Sequence, residues 1–144
     1  QSHHRINMST LLLNTLTGKT SAGSIVVTGE GGSTTTNMQQ GLCKAWINFT
    51  GITTTAARDS FNMSIQTDVG AGQTTLAITS DMGNANYSGY YFTSAATGTA
   101  YSNFGNAFTG GFGSFAAGQC SVNAYTSTNF DSYQNLVGLF GDLA

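Results

Sequence analysis

Charge is what this chain has least of. Its 144 residues include four basic and six acidic side chains, or 7% charged, where an ordinary domain carries roughly 25%. Proline is absent, histidine and cysteine occur twice each, and tryptophan once. Nucleic-acid binding by phosphate neutralisation needs clustered Lys and Arg, yet Arg5, Lys19, Lys44 and Arg58 lie far apart. A net charge of -2 gives no field that would steer a charged partner. No apolar run approaches the roughly 18–20 residues of a membrane-spanning helix, so neither nucleic acid nor membrane insertion is expected. Residues 1–7 lack the basic-then-apolar pattern of a secretory signal. Both histidines, His3 and His4, fall in that leader, which leaves a Ser/His/Asp relay within the domain without its base. Two cysteines are too few for a zinc site.

Surface polarity is carried instead by hydroxyls and amides, since Ser, Thr and Asn supply about a third of the chain. With 40% hydrophobic and 11% aromatic residues, a core is affordable and disorder is not expected. So few charges favour self-association, and a symmetric oligomer is the ordered form of it.

Two regions emerge along the chain. Residues 1–41 read as an N-terminal arm and linker, within which 1–7 are a leader or an added remnant. Leu11, Leu13 and Leu16 precede a turn at Thr17-Gly18-Lys19, and Ser24–Thr28 is a short strand carrying Ile25 and Val27. Ser33–Asn37 reads as a polar linker with no apolar anchor. The arm has too little apolar mass to fold alone, so Leu11, Leu13, Leu16, Ile25 and Val27 are candidate assembly contacts. Residues 42–144 read as an antiparallel β domain. Cys43, Ala45, Ile47 and Phe49 share one face of a strand, with Leu42, Lys44, Trp46 and Asn48 on the other. Ser60–Ile65 reads as a strand with Phe61, Met63 and Ile65 inward, Thr67–Gly72 as a turn, and Thr74–Thr79 as the return with Leu76 and Ile78 inward. Further strands are expected at Asn86–Thr93, Cys120–Tyr125 and Asn135–Phe140. No long helical period exists. The expected fold is all-β, an antiparallel β-sandwich or meander with an extended N-terminal β arm.

Residues 98–118 interleave six glycines with Tyr101, Phe104, Phe108, Phe112 and Phe115. The Phe spacing mimics a helix, but each glycine costs about 1 kcal/mol against Ala. The segment therefore reads as a long loop, a length usually tied to function or disorder. Tyr101, Phe104, Phe108, Phe112, Phe115 and Tyr90 are the candidate partner contacts, because Tyr, Ser, Gly and Asn make adaptable recognition surfaces. Tyr87, Tyr90, Tyr91 and Tyr101 suit stacking on sugars, and equally suit sheet packing or a subunit interface. Trp46 reads as core or interface.

The run Gly41-Leu42-Cys43-Lys44-Ala45-Trp46-Ile47-Asn48-Phe49 resembles a domain of small tail-fibre-like virion structural proteins of tailed phages infecting aquatic bacteria and cyanobacteria. Ala57–Asn62, Thr67–Gly72, Met82 with Ala85-Asn86-Tyr87, and Phe140-Gly141-Asp142 follow in the family's order. Ser9–Lys19 is similar to the start of such proteins, and the likeness runs from Met8 to Ala144. It implies a non-enzymatic homotrimer of the virion, assembled in the host cytoplasm beside other tail or capsid proteins. A short fibre or fibre-like adhesin, a capsid decoration protein and a small carbohydrate-binding or carbohydrate-active protein are the readings carried forward. A host cell-surface glycan is a further possible partner.

Cys43 and Cys120 bridge only if their strands pair, whereas the reducing cytoplasm implied by the resemblance favours free thiols. Asp59, Asp68, Asp81 and Asp131 are expected at strand ends and turns, bonding local amides, and no calcium-type ligand ladder is present. The Asn-x-Ser/Thr matches at Asn7, Asn48, Asn62 and Asn86 read as accidents of composition. Gln1-Ser2-His3 has donors for Cu(II) or Ni(II) and reads otherwise as a flexible leader. No cofactor, metal or catalytic residue is assigned.

Overall fold

The computed structural model of the chain describes residues 11–19, 25–29, 31–94, 109–125 and 128–144. In chain order the elements are β1 (Val26–Thr28), β2 (Thr35–Asn37), the single turn α1 (Met38–Gly41), β3 (Cys43–Thr50) and β4 (Ala56–Phe61). They continue with β5 (Met63–Gly70), β6 (Gln73–Ile78), β7 (Ser88–Thr93), β8 (Thr109–Ala116), β9 (Gln119–Tyr125) and β10 (Asn135–Phe140). Sheet one has the order β4-β3-β10-β7 and sheet two the order β5-β6-β9-β8, with β1 and β2 as a separate hairpin. Every neighbouring pair is antiparallel. The fold is an all-β sandwich.

Period-2 alternation builds the core, because alternate side chains leave opposite sides of a pleated strand. Ala45, Ile47 and Phe49 of β3 and Val137 and Leu139 of β10 face inward from sheet one. Leu76 and Ile78 of β6, Met63 of β5, and Cys120 and Val122 of β9 meet them from sheet two. The expected pairing of Met63 with Ile78 and of Ile65 with Leu76 is present. Lys44, placed by alternation on the outer face of β3, is nonetheless buried.

Four expectations are corrected. Residues 60–65 are not one strand: Asn62 adopts φ 55, a left-handed backbone that Asn tolerates better than most residues. The chain there crosses from β4 in sheet one to β5 in sheet two, and Phe61 turns outward, 55% exposed. The expected turn at 67–72 is shorter, since β5 runs to Gly70 and only Ala71 and Gly72 turn. Ser33–Asn37 is not merely a linker, because Thr35–Asn37 pairs with Val26–Thr28 through backbone hydrogen bonds that need no apolar anchor.

The fourth correction concerns the glycine-rich segment. Thr109–Ala116 is a full strand on β9, and the earlier part of the segment lies outside the described residues. Glycine in a strand often marks a close approach. At Gly110 a Cβ would lie 2.4 Å from the Tyr91 ring, so the absent side chain lets that ring from sheet one pack on the backbone of sheet two.

Candidate functional site

The register brings an aromatic surface together on the outside of sheet one. Phe61 pairs with Trp46, Trp46 with Gly138, and Gly138 with Tyr90, one row across all four strands. The next row holds Asp59, Asn48, Leu136 and Phe92. Phe140 lies beyond, with its ring 6.1 Å from Tyr90. The Tyr90 and Phe92 rings are 5.6 Å apart, within the range of favourable aromatic pairs. Gly138 makes this arrangement possible, because a Cβ there would sit 2.4 Å from the Tyr90 ring.

This face is open to solvent. Phe92 is 64% exposed, Phe61 55% and Tyr90 41%, with Leu136 also exposed and Trp46 and Phe140 half-buried. Beside it Arg58 lies over the Tyr133 ring, 4.4 Å from its centroid, while its Nη2 donates to the Tyr133 carbonyl at 2.8 Å. That stacking covers the guanidinium instead of offering it to a partner.

The outside of sheet two is different chemistry. Ser121, Asn123 and Tyr125 alternate outward along β9, and the Ser114 and Ser121 hydroxyls are 2.9 Å apart. Gly110, Gly111, Phe112, Gly113, Asn123 and Tyr125 line a shallow groove of about 280 Å³. Asn123 Oδ1 and, on sheet one, Asn48 Oδ1 are buried without a hydrogen-bond partner.

Of the candidate partner contacts among the described residues, only Tyr90 belongs to the aromatic face. Phe112 packs against the core, with its ring 6.5 Å from Tyr91 and 4.7 Å from Phe115. Phe115 meets Tyr87 edge-on at 5.0 Å. Tyr101, Phe104 and Phe108 lie outside the described residues, as do His3 and His4. In the arm, Leu11, Leu13, Leu16 and Val27 are exposed and Ile25 is half-buried. Phe61, Phe92, Leu136 and Phe140 were missed as a site. The available signal was the run Asn135–Phe140, apolar on both faces, which suits a strand covered on both sides.

Tyr87 and Tyr91 are structural. The Tyr87 hydroxyl reaches the Ala116 and Gln119 carbonyls at 3.1 and 3.0 Å, tying the β8–β9 hairpin to the start of β7. Tyr91 donates to Asn135 Oδ1 at 2.6 Å, and Ser132 Oγ donates to the same oxygen at 2.6 Å. Burial pushes both tyrosine hydroxyls up to about 12 and the Cys120 thiol also to about 12. Cys43 in sheet one and Cys120 in sheet two are free thiols.

Asp59 serves a local bond, as expected, whereas Asp68 and Asp131 bond segments distant in sequence. Asp59 Oδ1 accepts from the Ser60 amide at 2.8 Å, Asp68 Oδ2 from Thr55 Oγ1 at 2.8 Å, and Asp131 Oδ1 from the Gly72 amide at 2.8 Å. Asp59 and Asp68 do so from within β4 and β5 instead of from strand ends. Among the described residues no three His, Cys, Asp or Glu gather in a group able to hold a metal ion.

Fold and face together define an antiparallel β-sandwich with one aromatic outer surface. No protein-family model matches the chain, and neither a curated protein nor a solved structure matches it.

Proposed function

We propose that this chain is a non-enzymatic structural protein of a tailed-phage particle, a short fibre or fibre-like adhesin assembled as a homotrimer. The observation that carries the reading is the aromatic face of sheet one. Contiguous exposed apolar surface of this kind marks a contact site, and aromatic residues are the types enriched in protein interfaces. The chain's shortage of charge points the same way, because a net charge of only -2 does little to oppose self-association. The resemblance over Met8–Ala144 supplies the virion setting.

A capsid decoration protein is the second reading. It is favoured by one observation: the described residues form a sandwich and a hairpin, with no repeated shaft elements among them. Purified particles carrying a tagged copy separate the two when imaged by electron microscopy. A tail position with tens of copies supports the fibre, and hundreds of copies over the shell support decoration, since closed assemblies multiply subunits by their symmetry. Absence from purified particles overturns both.

A further inference from the structure

We propose that the groove between Leu42, Phe61 and Leu143 receives the arm leucines of a second copy of this chain. The inference rests on the homotrimeric reading and goes beyond it by naming the acceptor and the segment it accepts. The groove has a volume of about 470 Å³, within the range of clefts that bind ligands. Leu42, Phe61 and Leu143 are all exposed at its lip, and Cys43 lines one wall.

The Asn62 side chain that lines it is already engaged. Asn62 Nδ2 donates to the Lys44 and Ser80 carbonyls at 3.2 and 3.1 Å, and Asn62 Oδ1 accepts from the Ser80 amide at 2.6 Å. The Thr79 amide donates to the Asn62 carbonyl at 3.1 Å. With both ends of that amide satisfied, the groove offers an apolar lip of Leu42, Phe61 and Leu143 beside the polar Lys44, Thr79 and Ser80. An apolar segment is the occupant that fits.

The same chain carries such a segment. Leu11 is 79% exposed and Leu12 88%, while Leu13 and Leu16 are each 52% exposed. Lys19 is the one charged residue between 11 and 19. Each chain therefore has an open groove and unburied leucines that do not fill it, so the complement lies on another copy. Fully extended, nine residues span about 30 Å, enough to cross to a neighbour.

At 25 cal/mol per Å², burying a leucine corresponds to about 60–120 Å². Four partly exposed leucines thus offer roughly 200–350 Å², short of the ~800 Å² per partner of a stable interface. An arm given and an arm received doubles the contact per subunit, in a dimer or a ring alike, and a head-to-tail contact gives a ring when its rotation closes. Phe61 also belongs to the aromatic face, so arm docking extends that surface instead of opening a separate one.

Cross-linking tests the inference. A chain with Leu13→Cys and Cys43→Ser is co-expressed with the parent chain, which keeps Cys43, and treated with a short bis-maleimide. Cys120 is fully buried in both chains. The expected product is a mixed covalent dimer, absent when either chain is treated alone and absent when Val69→Cys, in β5, replaces Leu13→Cys. A trimer by light scattering that gives no mixed dimer overturns the docking inference and leaves the homotrimer standing. A monomer at micromolar concentration overturns both. Cross-linked monomer from Leu13→Cys with Cys43 retained places the arm in its own groove and likewise overturns the inference.

Discussion

Asn62 does more for this fold than its neighbours suggested. An Asn-Met-Ser sequence inside an apparent strand reads as an accident, yet the residue occupies a left-handed backbone and holds four hydrogen bonds, to Lys44 of β3 and to Thr79 and Ser80 just past β6. Hydrogen-bond hubs of this sort leave no trace in hydrophobic patterning, which is why alternation carried Phe61 inward when the structure turns it out. Asn62→Ala removes the amide and keeps the strained backbone, and is expected to cost about 2–3 kcal/mol. Asn62→Gly relieves the backbone and is expected to cost less. Denaturant unfolding of both variants measures the difference, and equal stabilities would mean the backbone conformation costs nothing. Buried hydroxyls give a second expectation at this scale. Tyr87, Tyr91 and Cys120 are held to about 12 in the folded state, above ordinary values of 10.0 for the tyrosines and 9.0 for the thiol. The folded state keeps protons that the unfolded chain releases, so this stability is fully present below about pH 9 and is lost as pH rises toward 12. Thermal melts followed by circular dichroism should show a midpoint falling across that window, less steeply in Tyr91→Phe.

Strands were legible where one face is buried and the other is not. β6 and β9 alternate cleanly, and their inward sets follow from period 2 alone. β10 was located to the residue, but its outward side was not, because nothing in a single strand tells which neighbours share its row. The aromatic face exists only once register aligns Phe61, Trp46, Gly138 and Tyr90. β8 was illegible for a different reason. Its glycines weaken strand propensity, and the benefit of Gly110, room for the Tyr91 ring, comes from the opposite sheet. The face itself can be tested by replacing its most exposed rings. Phe61→Ser with Phe92→Ser should change folding stability by less than about 1 kcal/mol, as surface changes do. It should also weaken self-association at least about tenfold, equivalent to ~1.4 kcal/mol. Analytical ultracentrifugation and melting curves read the two effects separately. Unchanged assembly would free this face from any role in it.

At the scale of the whole molecule, the buried core lies outside the arm. Every residue of the core cluster falls between Ala45 and Leu139, and no residue before Lys44 is buried among those described. The hairpin of β1 and β2 exposes Val26 and Val27, and α1 is tied to the end of the chain by Gln40 Nε2 donating to Asp142 Oδ1 at 2.7 Å. Deleting residues 1–37 keeps Gln40 and Asp142 but removes Asn37, whose Oδ1 accepts from the Gln40 amide at 3.1 Å and caps α1. The shortened chain should retain its β-sheet circular dichroism and melt cooperatively, because the deletion removes no core contact. Its assembly should be weaker, because Leu11, Leu12, Leu13 and Leu16 are gone and the groove beside Leu42 stays open. Salt provides the control: an interface of leucines and aromatic rings should persist at 1 M salt, where the screening length falls to about 3 Å. Sedimentation of full-length and shortened chains at low and high salt decides the matter. An unfolded remainder would show that the arm holds the sandwich together, and an undiminished oligomer would leave sheet one as the whole of the interface.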